Sequence, residues 1–138
     1  MSDNKTNLKH LNGASTAGNV DKTWTVSGYR SLRPLYGQVV LITDATVTGR
    51  RVILQVLDSD DNVVFDTHSG AVVPASQSGA HHEFMQGVFR ETTFVSVALQ
   101  VPIPVNLEIP NGYKLNITIQ AGQPGDSYTS NFMCEYIP

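Results

Sequence analysis

The sequence predicts an all-β protein: a two-sheet antiparallel sandwich, jelly-roll-like, with an extended N-terminal arm. Three observations lead there. Apolar residues recur at every second position through long stretches, as in Leu99, Val101, Ile103, Val105, Leu107 and Ile109, which is the period of a strand with one buried face. Corners rich in Gly, Pro, Asp and Asn separate these stretches, and no window sustains the 3.6-residue period of an amphipathic helix. The chain has 138 residues, 15% charged and 41% hydrophobic, which suits one domain around a single core and is too apolar for a disordered chain.

Residues 1–22 differ in composition from the rest. Asn, Lys, Ser, Thr and Gly dominate, and after Met1 only Leu8, Leu11 and Val20 offer substantial apolar side chains. Residues 1–22 are therefore read as an extended N-terminal arm and residues 23–138 as the β-sandwich domain. Such an arm cannot bury enough surface to offset its own ordering entropy, so it orders only where something ties it down. A neighbouring subunit is the expected holder, the alternative being that the arm lies across its own sheet. The residues expected to touch a partner are Leu8, His10, Leu11, Val20 and, at the start of the domain, Trp24.

The strands follow in order. Trp24-Thr25-Val26 opens the domain, and Gln38 to Val47 is a mostly apolar, β-branched run. Arg51 to Leu57 and Asn62 to Asp66 flank the polar corner Asp58-Ser59-Asp60-Asp61, which reads as a hairpin. Glu83 to Phe89 is a further strand, although the period of residues 84–90 is ambiguous. From Val95 and Val97 the odd positions stay apolar to Ile109, but one straight strand of that length would run about 50 Å at roughly 3.3 Å per residue, too long for this domain. Pro102 and Pro104 break it, because each removes a ladder donor. Pro110-Asn111-Gly112 then forms a tight turn before Tyr113, Leu115, Ile117 and Ile119. Tyr128 to Ile137 is the last strand, with Phe132, Cys134 and Tyr136 on one face. The expected total is seven to nine strands.

Composition also excludes partners. The formal net charge is −3 and Arg50-Arg51 is the only basic doublet, so no nucleic acid is expected, since phosphate binding needs clustered cations. Arg50-Arg51 reads as a strand entry. No membrane span is expected either: the longest apolar run is Val39 to Ile42, against the roughly 20 residues that cross a bilayer. The segment Met1 to Asn7 has no apolar stretch of the kind that directs secretion. The one cysteine, Cys134, excludes an intrachain disulfide and reads as a small buried hydrophobe. Asn4-Lys5-Thr6 and Asn116-Ile117-Thr118 match the glycosylation sequon and are read as chance.

No catalytic, cofactor-binding or metal-binding residue is predicted. Asp58-Ser59-Asp60-Asp61-Asn62 begins like a calcium loop, but Val63 and Ser69 stand where an EF-hand needs Gly and Glu, so it reads as a solvated turn. His81-His82-Glu83, with His68 upstream, offers zinc-type ligands, yet on a strand His81 and Glu83 share one face while His82 points to the other. Nucleophile elbows, phosphate loops, His-Glu-x-x-His and dinucleotide fingerprints are all missing. Acid pairs such as Glu83 with Glu91 or Asp44 with Asp66 do not by themselves make a hydrolase, and no enzyme activity is expected. Trp24, Tyr29, Tyr36 and Tyr113 read either as a sugar-binding platform or as core and interface fillers.

The block Arg50-Arg51-Val52-Ile53-Leu54-Gln55-Val56-Leu57-Asp58, then Asn62-Val63-Val64-Phe65, then Pro102-Ile103-Pro104 running on to Leu107-Glu108-Ile109-Pro110-Asn111-Gly112-Tyr113-Lys114-Leu115, resembles small β-sandwich structural proteins of tailed bacteriophages. The likeness covers residues 38–119, and its motifs are structural and not chemical. It implies a virion component without catalytic residues: a capsid decoration or cement protein that binds and stabilises neighbouring major capsid subunits. The implied partners are the major capsid protein and copies of this chain, as a homo-oligomer on the capsid surface after synthesis in the host cytoplasm. A carbohydrate- or receptor-binding module and a head-tail or tail component are the alternatives.

Overall fold

Eight strands pair as nested antiparallel hairpins, and the nesting defines the architecture. In the computed structural model, which describes residues 7–94 and 98–138, the strands are β1 (Leu8–Ala17), β2 (Lys22–Thr25), β3 (Ser31–Ile42), β4 (Arg51–Leu57), β5 (Val63–His68), β6 (Ala80–Met85), β7 (Ala98–Pro102), β8 (Ile109–Pro110), β9 (Lys114–Gln120) and β10 (Ser127–Ile137). β4 pairs with β5, β3 with β6, β2 with β9 and β1 with β10. Side-by-side pairing of β10 with β3 and of β9 with β4 then completes two sheets, β1-β10-β3-β6-β7 and β2-β9-β4-β5. A long hairpin rolled up in this way is a jelly roll. β7 and β8 are additions to the first sheet: β7 runs parallel to β6, and β8 pairs with the start of β3.

The innermost hairpin turns where the sequence places it, at Asp58–Asn62. The Asp58 carboxylate accepts the backbone N–H groups of Asp60 and Asn62, both at 2.9 Å, and Asp61 takes a positive φ of 65°. A short side chain that caps its own turn is why Asp and Asn gather there. On either side the period-2 pattern delivers the core. Val52, Leu54 and Val56 of β4, Leu115, Ile117 and Ile119 of β9, Val39 and Leu41 of β3, and Phe132 and Cys134 of β10 all point between the sheets and are buried.

Residues 8–17, expected in an arm, form β1. The strand is hydrogen-bonded to β10 from Leu8 opposite Glu135 to Ala17 opposite Ser127, with a bulge between Gly13 and Thr16. The backbone ladder supplies the hold, so β1 needs few apolar side chains of its own; Leu11 alone joins the core. Residues 1–6, including the sequon at Asn4, lie outside the described residues, as do Val95, Ser96 and Val97. β3 begins at Ser31, earlier than Gln38, and ends at Ile42, short of Val47. Pro34 is accommodated in its interior because the ladder to β10 shifts register there, and because Pro34 falls between the β8 and β6 pairings on the other side. β6 stops at Met85, before Gly87 with its φ of 74°.

Arg50 organises one end of the sandwich. It is fully buried, donates from Nε to Asp126 at 2.9 Å and from Nη2 to Asp44 at 2.7 Å, and gives Nη1 to the carbonyls of Thr46 and Thr48. Asp126 also accepts the backbone N–H groups of Asp44 and Gln123 at 2.7 and 2.8 Å, and its own carbonyl accepts the Gly18 N–H. The loops after β1, β3 and β9 are thereby tied to one buried ion cluster. Burial alone would raise the Asp126 pKa, but the hydrogen bonds from Arg50 and the two backbone N–H groups outweigh it and hold the carboxyl below its usual range.

Candidate interaction surface

The outward residues of the first sheet align in rows that the register fixes. His10 lies opposite Met133, Met133 opposite Tyr36, Tyr36 opposite Met85, and Met85 opposite Pro102, so one line of soft apolar and aromatic side chains crosses the sheet from β1 to β7. Tyr36 and Met133 retain 38% and 37% of their accessible surface. The next row, Asn12, Asn131, Gln38, Glu83 and Gln100, is polar throughout. On the other side of the apolar row, Leu8, Glu135 and Arg33 align, with Arg33 donating to Glu135 at 3.3 Å. The result is an apolar stripe between two polar margins on one face of the sheet, the arrangement of a protein contact with a polar rim.

The sequence-predicted contact residues separate into three groups. Leu8 and His10 stand on this face, Leu8 exposed and His10 bonded to Asn131 at 3.1 Å. Leu11 faces the other way and is buried in the core, because it alternates with them. Val20 sits in the turn after β1 with its carbonyl held by the Tyr128 hydroxyl at 2.6 Å and its side chain exposed. Trp24 is half-buried at the seam between the sheets, edge-on to Phe132 with ring centroids 6.0 Å apart. Met133 and Met85 carry no signal in the sequence that marks them as contact residues. Period-2 patterning marks each as outward, but only the register, shifted by the bulge between Met133 and Cys134, puts them in line with Tyr36.

The other candidates resolve to structural roles. His82 is fully buried, while His81 is exposed and Glu83 half-buried on the opposite face, as strand alternation requires. The His82 Nδ1 lies 3.1 Å from the Ala80 carbonyl, so it carries the proton and leaves Nε2 without a partner. Burial first, with a smaller push from His81 and against the backbone hydrogen bonds, lowers the His82 pKa to about 4. Cys134 is buried, and burial pushes its thiol up to about 12. Asn116, the other sequon residue, is buried and donates to Gln55 at 3.0 Å and Asp21 at 3.2 Å. Asp44 is engaged by Arg50, and the Glu91 carboxylate accepts the Gln100 N–H at 3.3 Å. Among the described residues, no three His, Cys, Asp or Glu side chains come together as a metal site.

No protein-family model matches the sequence, and no curated protein matches it. Solved structures do. The chain is similar to the structure of the infectious bursal disease virus Gx strain, with 16% identity over 94% of this chain and 32% of that one and a TM-score of 0.41. It is similar also to the VP2 subviral particle of infectious bursal disease virus, with 16% identity over 99% of this chain and 34% of that one and a TM-score of 0.37. The chain spans about a third of the length of the solved structures it matches. What the chain itself presents is an all-β, two-sheet sandwich of jelly-roll topology with an apolar stripe on one open face.

Proposed function

We propose that this chain is a virion structural protein, a capsid decoration or cement protein that braces neighbouring major capsid subunits and contacts copies of itself on the shell surface. The observation that carries the reading is the stripe His10, Met133, Tyr36, Met85 and Pro102 across the open face of the first sheet. Met and Tyr are residue types enriched at protein contacts, and a rigid sheet presents them at little entropic cost. Jelly rolls serve as capsid domains and as lectins, and the likeness of residues 38–119 to small phage structural proteins favours the former. Leu8, exposed in the margin beside the stripe, adds apolar surface at the start of β1.

An interface of standard size needs roughly 800 Å² from each partner, and repetition over a symmetric shell lets each contact be weak. The test is co-sedimentation of the purified chain with shells assembled from the major capsid protein of the same virus. The wild-type chain is expected to sediment with shells, and Met133→Glu and Tyr36→Glu to stay in the supernatant with unchanged circular dichroism. Equal binding by both variants would remove the stripe from the interface, and failure of the wild-type chain to bind would end the decoration reading.

A further inference from the structure

A groove opens at the seam of the sandwich, where the edge strands β1 and β2 part. β2 is only four residues long, and the groove runs from it past Val26 and Ser27 to Tyr29 over a floor of the nearly buried Leu11, Val26 and Leu32. The groove encloses about 360 Å³, within the roughly 300–1,000 Å³ range of ligand clefts. Leu11, Val26 and Leu32 contribute apolar surface, Trp24 and Tyr29 contribute aromatic surface, and Lys9 also lines it.

Both rings are fixed from within. Trp24 meets the edge of Phe132, and Tyr29 stacks on Tyr136 with centroids 4.8 Å apart. Each is attended by a cation: Lys22 Nζ stands 5.6 Å from the Trp24 ring centre and Lys9 Nζ 6.0 Å from that of Tyr29. Among the described residues, neither ammonium has a carboxylate partner. Of the hydroxyl residues along it, Ser27 lies just past the end of β2, while Thr23 and Thr25 alternate with Trp24 and turn their side chains to the other face of the strand, the Thr23 hydroxyl donating to Asn116 at 2.6 Å.

We propose that this groove binds a saccharide that carries a carboxylate. A sugar ring presents an apolar C–H face that packs on an indole or phenol ring, and its hydroxyls find donors in the lysine ammonium groups and a partner in the Ser27 hydroxyl. The Lys9 ammonium in the lining, and that of Lys22 beside the Trp24 wall, complement a carboxylate on the same sugar. A wholly apolar ligand would leave the two lysines beside the rings without a partner. A phosphate would lack its usual cradle, because neither an arginine fork nor a glycine-rich loop lines the groove. The groove lies at the seam and the stripe on the open face of the first sheet, so a ligand in the one needs nothing from the other.

The test is a titration of the full chain, labelled with 15N, with N-acetylneuraminic acid, glucuronic acid, glucose, N-acetylglucosamine and sodium acetate, following amide and indole resonances. The expected result is that at least one carboxylated sugar shifts the Trp24 indole N–H together with the Leu11 and Val26 amides, saturably and at millimolar concentrations. Glucose, N-acetylglucosamine and acetate should bind measurably less tightly. The double variant Lys9→Gln, Lys22→Gln, whose spectrum reports its own folding, should weaken the carboxylated sugar about tenfold or more, since a charge-assisted hydrogen bond is lost. Trp24→Phe should weaken it with the overall spectrum retained. Absence of shifts with both acids overturns the proposal. So does equal affinity for the uncharged sugars, or an acetate response that matches that of the acids.

Discussion

Gly37 lies directly opposite Phe132 across the β3–β10 ladder, and the Phe132 ring occupies the space where a Gly37 side chain would be. A Cβ built on Gly37 would stand 1.9 Å from the Phe132 Cε1 and 2.0 Å from Cδ1. The ring also meets Trp24 at 6.0 Å and Phe84 at 5.9 Å, so it has no open direction in which to retreat. The glycine thus gives up strand propensity and lets an aromatic ring lie across the sheet at the centre of the core.

Gly37→Ala is therefore expected to destabilise the fold by about 2–3 kcal/mol, the upper range for overpacking. Urea unfolding followed by tryptophan fluorescence measures it. In the Phe132→Leu background the same substitution should cost far less, because the ring it collides with is gone. Equal cost in both backgrounds would show that Phe132 is not what Gly37 accommodates.

Asp126 and Arg50 form a pair with both side chains fully buried. Removing one partner of a buried pair costs about 3–5 kcal/mol when the other charge is left uncompensated, but Arg50 keeps the Asp44 carboxylate at 2.7 Å. Asp126→Asn is therefore expected to cost about 3 kcal/mol, the low end of that range, and the loops around Gly18, Asp44 and Gln123, which hang on the same carboxylate or on the Asp126 backbone, should lose hydrogen-exchange protection together. Loss of protection confined to one loop would contradict the shared-anchor account.

Much of the fold is legible in sequence because it follows from local chemistry. The alternation in Val52, Leu54 and Val56, and in Phe132 and Cys134, needs only a strand with one buried face. The Asp58 turn needs only a side chain that caps its own backbone. Other parts depend on distant residues. β1 is held by hydrogen bonds to β10, and a backbone ladder leaves no trace in composition, so a polar segment such as Leu8–Ala17 reads as an arm. Arg50 reads as a strand entry, because its acceptor at Asp126 is 76 positions away. The stripe of His10, Met133, Tyr36 and Met85 needs the register of four strands, one of them offset by a bulge near Pro34. The aromatic residues Trp24, Tyr29 and Tyr36 are visible as candidates in sequence, but not that the first two share a groove while Tyr36 lies on an open face.

Cys134 is expected to be inert in the folded chain. Its thiol is buried and held up to about 12, so almost none is thiolate at pH 8, and reagents cannot reach what little there is. Ellman's reagent should report no fast reaction in buffer and a single thiol in guanidinium chloride. Rapid labelling of the native protein would mean that β10 opens locally at its Cys134 end.

His82 and Asp126 should divide the acid sensitivity of the fold between two pH ranges. The folded state holds His82 neutral with a pKa lowered from 6.5 to about 4, so between those values the unfolded chain binds a proton that the folded chain refuses. Stability from this group is intact above pH 6.5, declines as the pH falls, and has dropped by about 3 kcal/mol near pH 4, where the loss stops growing. Asp126 acts below that window. Its folded pKa lies under the ordinary 3.8, so its contribution is present above 3.8 and is lost as the pH falls through the folded value. His82→Leu removes the titrating ring and the unpartnered Nε2 together at similar volume, so it should flatten the decline between pH 6.5 and 4 and leave the loss below 3.8 in place. Urea midpoints at pH 7, 5 and 3.5 for both proteins decide the matter: if the variant loses as much stability between pH 7 and 5 as the wild type, the upper limb belongs to another group.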